Sequence, residues 1–134
     1  MSAYLLDSNT CVEYLRNRNQ KIVQRIRREP TKNIRLCSVV LGELYFGAFH
    51  STDPTKNLAL LRKFLAKFQS LSFDDAAAAI YGEERARLEN LGTRIGPHDM
   101  QIASIALANH LTVVSHNLGE FSRVQGLCIE DWQG

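Results

Sequence analysis

The sequence predicts an α/β fold, with a central, mostly parallel sheet and helices on both faces, and three observations carry that expectation. Short apolar runs without polar alternation ("YLL" at 4–6, "IRLC" at 34–37, "LTVV" at 111–114) read as strands covered on both sides. Longer segments with helical spacing separate them. Each of those segments opens near a capping residue or an Asp-Pro or Gly-Pro pair, so strand and helix alternate as crossover units require.

In chain order, residues 3–7 are the first expected strand. Helices follow over 10–17 and 20–28, broken around Asn17 to Asn19. "IRLCS" at 34–38 is the second strand, with Ser38 placed to cap the helix "VVLGELYFGAF". Asp53-Pro54 supplies an N-cap and a proline at the first helical position, opening a helix through Phe68. "LSF" at 71–73 is a short strand, and Asp74 caps a helix running to about Leu91. Gly96-Pro97 opens a helix through Asn109, "LTVVS" at 111–115 is the next strand, and "LCIED" at 127–131 is the last. No repeat, low-complexity tract or linker interrupts residues 1–134, which read as one domain.

Composition narrows the function classes. With 45% hydrophobic and 22% charged residues in 134, the chain has the make-up of a soluble globule with a sizeable core. A net charge of +2 does not by itself announce a nucleic-acid binder. No apolar run is long enough to cross a bilayer, and no basic segment leads into an apolar one at the N-terminus. Cys11, Cys37 and Cys128 are odd in number and set among apolar neighbours. They are expected to be reduced, buried small hydrophobes of a cytoplasmic protein rather than a disulfide or zinc framework.

The acids are where the chemistry gathers. Asp7 ends the first strand where a helix starts; a capping role is the commonest use of such a residue. In open α/β sheets, however, ligands collect beyond the carboxyl ends of the strands, which is where Asp7 stands. Glu43 is the one charge on a helix that is apolar nearly all round. Such a helix is expected to be buried, so the carboxylate needs a cation, either an arginine or a metal ion. Asp99 lies in the first turn after Gly96-Pro97, where the helix dipole favours an acid, yet it shares a face with Ile102, Ala103 and Ala106 that should pack on the sheet. Ser115, Asn117 and Glu120 lie at the next strand's carboxyl end; Asn117 alone would be a turn residue and Glu120 alone a solvated one. Carboxylates without a thiolate or histidine cluster suit a hard cation, Mg²⁺ or Mn²⁺, and such a site suits phosphodiester chemistry.

Basic residues crowd residues 16–35, including Arg25, Arg27 and Arg28, opposed there only by Glu29. The patch could hold RNA phosphates or be a solvated helix face. His98 and His116 flank Asp99 and Asn117, but no ligand spacing supports a zinc site, and no G-x-S-x-G elbow supports a serine hydrolase.

Three stretches, "YLLDSNTCVEYL", "CSVVLGELYFGA" and "GPHDMQIASIALANHLTVVSHNLGEFSRVQGLCIEDW", together resemble the PIN-domain ribonucleases, specifically the VapC-type toxins of bacterial toxin–antitoxin pairs. The resemblance covers essentially the whole chain. It implies a PIN-like α/β/α sandwich, an Mg²⁺- or Mn²⁺-dependent endoribonuclease acting on RNA (tRNA among its targets), and a cognate VapB-type antitoxin that blocks the site. A homodimer within a larger toxin–antitoxin complex is part of the same expectation. The family's acids fall on Asp7, Glu43 and Asp99, its polar position after the fourth strand on Asn117, and a further ligand on Glu120. Ser8 stands where many relatives have threonine and, with Asn9, supports the metal shell. Asn117 stands where a good number have aspartate, which makes a second metal position less acidic. Two other classes remain open: a PIN-fold interaction module that has lost catalysis, and a haloacid-dehalogenase-like phosphatase. The latter would want a second acid where Asn9 stands.

Overall fold

The computed structural model describes residues 2–134. Five strands form one sheet in the order β3-β2-β1-β4-β5, every neighbouring pair parallel: β1 (Tyr4–Leu6), β2 (Ile34–Cys37), β3 (Gln69–Leu71), β4 (Thr112–Val114) and β5 (Ile129–Glu130). The sheet is thus wholly, not mostly, parallel. β1 lies at its centre, with Leu5 and Leu6 fully buried, which is why its sequence shows no alternation. Leu6 pairs with Val114 and Cys37 with Leu71, so the ends of β1, β2, β3 and β4 line up along one edge.

The helices are α1 (Ser8–Leu15), α2 (Gln20–Arg28), α3 (Ser38–Phe49), α4 (Pro54–Leu65), α5 (Asp75–Asn90), α6 (Pro97–Ala108) and the single turn α7 (Leu118–Phe121). The crossovers from β1 to β2 and from β2 to β3 step the same way across the sheet, which with the right-handed rule for parallel strands puts α1 to α4 on one face, where they pack on one another. The return from β3 to β4 puts α5 and α6 on the other.

Most starts follow the capping residues. Asp7, Asn19, Asp53 and Asp74 each accept a hydrogen bond from a backbone N–H three residues on, at 2.9–3.2 Å. The break between α1 and α2 is made by Asn17 in the left-handed region, φ 54°.

Several expectations need correction. Ser38 does not cap α3; it is the first helical residue, after Cys37, and its hydroxyl donates to the Leu71 carbonyl at 3.4 Å. α4 stops at Leu65, because Lys67 and Phe68 close a tighter turn onto Phe64 and Leu65. Phe68 packs edge-on against Phe64, a spacing that looks helical in sequence. β3 comes two residues earlier than expected. It is an edge strand with Gln69 and Ser70 exposed, so no apolar run marks it, and Phe73 packs on Tyr81 instead. Cys128 is exposed; only Cys11 and Cys37 are buried. α3 buries only the stripe Val40, Leu44 and Ala48, leaving Phe46 and Phe49 60–67% exposed, so it is not the fully buried helix that its composition suggests.

Two polar ties hold the C-terminal third. Buried Glu84 on α5 receives Arg87 through two bonds of 2.6 and 2.8 Å and the Gln125 N–H at 2.8 Å, anchoring the segment after α7. Those hydrogen bonds, Arg87's first, hold its carboxyl below the usual range. Arg25 on α2 pairs with Glu29 at 2.9 Å and Glu130 at 3.6 Å and lies over the Trp132 ring, 4.5 Å from its centroid. Arg25→Ala should therefore destabilise the fold by about 1–2 kcal/mol through lost ion-pair and cation–π contacts. Exposed Arg27→Ala should change it by less than about 0.5 kcal/mol. Urea midpoints of the two variants check this.

Candidate active site

The strand ends deliver the site. Asp7 follows β1 directly, its N–H bonding the Val114 carbonyl at 3.1 Å, and is only 5% exposed. One oxygen, Oδ1, caps α1 through the Thr10 N–H at 2.9 Å, so the capping role is real and occupies half the carboxylate. Thr10 adds a hydroxyl bond to the same Val114 carbonyl, tying α1 to β4.

Across the edge, Asp99 in the first turn of α6 faces α7. The Asn117 side-chain amide donates to Asp99 Oδ2 at 3.0 Å and to Glu120 Oε2 at 2.8 Å. Asn117 thus clamps two carboxylates with its two amide hydrogens. Its own backbone N–H is held by the buried Ser115 hydroxyl at 2.8 Å, and Glu120 Oε1 accepts from the Gly96 N–H at 3.1 Å. Burial, the adjoining Glu120 and the charge of Asp7 push the Asp99 carboxyl up to about 7, against the pull of the Asn117 amide. Glu120 is held down by its hydrogen bond with Asp99, by Asn117 and by the Gly96 N–H.

The structure therefore brings Asp7, Asp99, Asn117 and Glu120 to one edge. Glu43 sits apart from that clamp. Its side chain is 37% exposed and pairs with His98 Nδ1 at 3.2 Å, neither with an arginine nor with the other acids. Because His98 precedes Asp99, the pair still ties α3 to the start of α6. Asn9 is exposed, whereas the Ser8 hydroxyl is buried with no hydrogen-bond partner among the described residues.

His116 leans on Asp131 at 2.8 Å. Of the basic residues singled out from sequence, Arg25 is committed to Glu29, Glu130 and Trp132 and is not a free cation for RNA, while Arg27 and Arg28 remain exposed. Sequence reasoning placed Ser115 at the strand end without giving its hydroxyl a role, and passed over the Gly96 backbone as an anchor. Backbone donors leave no residue-type signal, and Ser115 reads as an ordinary strand-end residue.

Among the described residues, no three histidine, cysteine, aspartate or glutamate side chains gather closely enough to cage an ion. The donor set nevertheless fits a hard cation that keeps several waters and takes one or two carboxylates. All the acids offer oxygen, the unpartnered Ser8 hydroxyl lies buried next to Asp7, and Asp99 is crowded by negative charge that a cation would relieve.

Asn117→Asp replaces both donors of the clamp with acceptors facing two carboxylates. It should lower the metal-free melting temperature while making stability more responsive to added Mn²⁺. Thermal melts in EDTA and across a Mn²⁺ series check this.

An all-parallel five-stranded sheet with acids and an asparagine gathered at its carboxyl edge defines a class, the open α/β proteins whose ligands collect beyond the strand ends. The PIN domain family matches residues 4–127. The tRNA(fMet)-specific endonuclease VapC of Salmonella typhimurium is 39% identical over 132 residues, 98% of this chain and 99% of that protein. Ribonuclease VapC2 of Haemophilus influenzae is 35% identical over 98% of this chain and 99% of its own length. The crystal structure of DNA-bound VapBC from Salmonella typhimurium matches with a TM-score of 0.91 at 39% identity, covering 98% of this chain and 99% of that one. VapBC2 from Rickettsia felis, bound to a promoter DNA fragment, matches at 0.90 and 33% identity over 97% and 98% of the two chains. The chain belongs to the PIN-domain family and, by identity over nearly its whole length, to the VapC-type ribonucleases within it.

Proposed function

We propose that residues 1–134 act as one PIN-like unit, the endoribonuclease toxin of a toxin–antitoxin pair, hydrolysing phosphodiester bonds in RNA with Mg²⁺ or Mn²⁺. Asp7 and Asp99 would hold the ion, with Glu43 and Glu120 completing its surroundings, some through water, and Ser8 supporting them. When bound, the ion polarises a phosphoryl oxygen and acidifies a water molecule. The chain's own residues set the stage. Asp7 is fixed by the α1 cap, Asn117 fixes Asp99 against Glu120, and Glu43 is oriented by His98.

The observation that carries this reading is geometric: Asp99 meets Asn117 and Glu120 at the strand edge near Asp7, and it forms no ion pair with a cationic side chain among the described residues. Structural carboxylates are normally paired with a cation, whereas this one is paired with more negative charge.

The curated relatives named above cleave RNA, tRNA(fMet) in one case, and the matching crystal structures pair VapC with VapB. A VapB-type antitoxin is therefore the proposed partner, with a toxin homodimer in the joint complex. The described residues include no helix long and apolar enough to cross a membrane. An RNA substrate puts the working site in the cytoplasm.

Purified protein should cut a total-tRNA pool with Mn²⁺ and stop in EDTA. Expression of the chain alone should arrest bacterial growth, and co-expression of the neighbouring antitoxin gene should relieve the arrest. A metal-loaded protein that leaves every RNA intact and is tolerated at high expression would favour the interaction-module reading instead.

A further inference from the structure

We propose that the cavity behind Glu120 is a nucleobase pocket, receiving one base of the RNA strand next to the cleaved bond; this placement rests on the nuclease reading above. The cavity holds about 400 Å³ between α5 from Tyr81 to Glu89, the loop at residues 94–96 and the first turn of α6. That is within the roughly 300–1,000 Å³ of small-molecule sites. Leu88, Ile95 and Met100 give it an apolar floor, and the half-buried Tyr81 ring gives it an aromatic wall.

Glu120 is the wall it shares with the acid cluster. Its Oε2 receives the Asn117 amide on one side, and its Oε1 receives the Gly96 N–H of the cavity rim on the other. Because Glu120 borders both the cluster and the cavity, a strand whose phosphate lies at Asp99 would bring a neighbouring base to the cavity mouth.

The charges at the rim fit that strand. Arg85 is spent on Glu89 at 2.7 Å and on the Tyr81 hydroxyl at 3.0 Å. Arg94 lines the cavity and, like Arg123 in the adjoining recess, forms no ion pair among the described residues. Arg123 donates to the Arg94 backbone carbonyl, which holds its guanidinium against the loop that carries Arg94. Arg25 on α2, by contrast, is tied up in structural pairs. An aromatic wall, an apolar floor, guanidinium groups outside any ion pair and a carboxylate at the edge are the groups that hold a splayed-out base and its phosphate.

The test uses the full chain and two probes. The first is the set of four nucleoside 5′-monophosphates, titrated with Mg²⁺ and followed by backbone amide NMR. At least one should shift the amides of Ile95 and Gly96, and Arg94→Gln or Tyr81→Ala should weaken its binding about tenfold. Tyr81→Phe should keep it, since the ring remains and the fold is spared.

The second probe is a short RNA that the wild type cleaves, with an abasic nucleotide placed in turn on either side of the cut. One such placement should raise KM about tenfold for the wild type and add nothing further for Tyr81→Ala. A cleaving protein whose nucleotide shifts lie only outside the cavity, or whose abasic penalty is the same in Tyr81→Ala, overturns the pocket alone. Variants that change only the oligomeric state in sedimentation, with nucleotide shifts intact elsewhere, make the cavity a protein interface and overturn it too. A wild type that binds nucleotides but cuts no RNA sinks the nuclease reading, and with it the placement beside a cleaved bond.

Discussion

Asp99→Asn should lower RNA cleavage by at least about 10²-fold, because the lost carboxylate removes metal stabilisation worth several kcal/mol in the transition state. Asp7→Asn should do the same while sparing the helix, since asparagine caps as well as aspartate and Asp7 Oδ1 is already a capping acceptor. The Asp99 variant has a second signature. A carboxyl raised from 3.8 to about 7 by burial and neighbouring acids binds its proton more tightly folded than unfolded. The stability from that proton is complete below the unfolded value and is lost as pH rises through the folded one. In EDTA, Asp99→Asn should therefore gain on the wild type between about pH 4 and 8. Mn²⁺ should stabilise the wild type more at pH 8 than at pH 5, and the variant little at either. Cleavage rates with melts at both pH values check the whole pattern, and a fully active Asp99→Asn would overturn the metal assignment.

Phe121→Ala should cost about 3–5 kcal/mol, the range for emptying a buried phenylalanine site. Phe121 is fully buried and is the one buried residue of α7, the four-residue helix that presents Glu120 and is preceded by Asn117. So short a helix has no stability of its own and stays in place because Phe121 is packed. The substitution should thus loosen the clamp on Asp99 as well. Cleavage should fall at temperatures where circular dichroism still reports folded protein, whereas Leu118→Ala, at an exposed position of the same turn, should leave both nearly unchanged. Chemical denaturation and cleavage measured side by side separate the two effects.

The amino-acid sequence by itself determined the alternation of strands and helices, and the reason is local. Runs such as "YLL" can be unalternating only when both faces are covered, and Asp7, Asn19, Asp53 and Asp74 cap the backbone a few residues away, so neighbouring residues announce them. The placement of Asp7, Asp99, Asn117 and Glu120 near strand ends was legible for the same reason, since parallel strands share one carboxyl edge. The features that needed the folded chain are those set by partners distant in sequence. Helix α3 looked buried from composition, yet its exposure is decided by which of its faces meets α1, α4 and the sheet. Glu43 called for a cationic partner, and the side chain it meets is His98 rather than an arginine. Arg25 looked like a free cation until Trp132 and Glu130, a hundred residues away, came to lie against it. The Asn117 clamp joins residues 18 apart and the Gly96 bond residues 24 apart. Such pairings depend on where crossovers return the chain, and only tertiary packing fixes that.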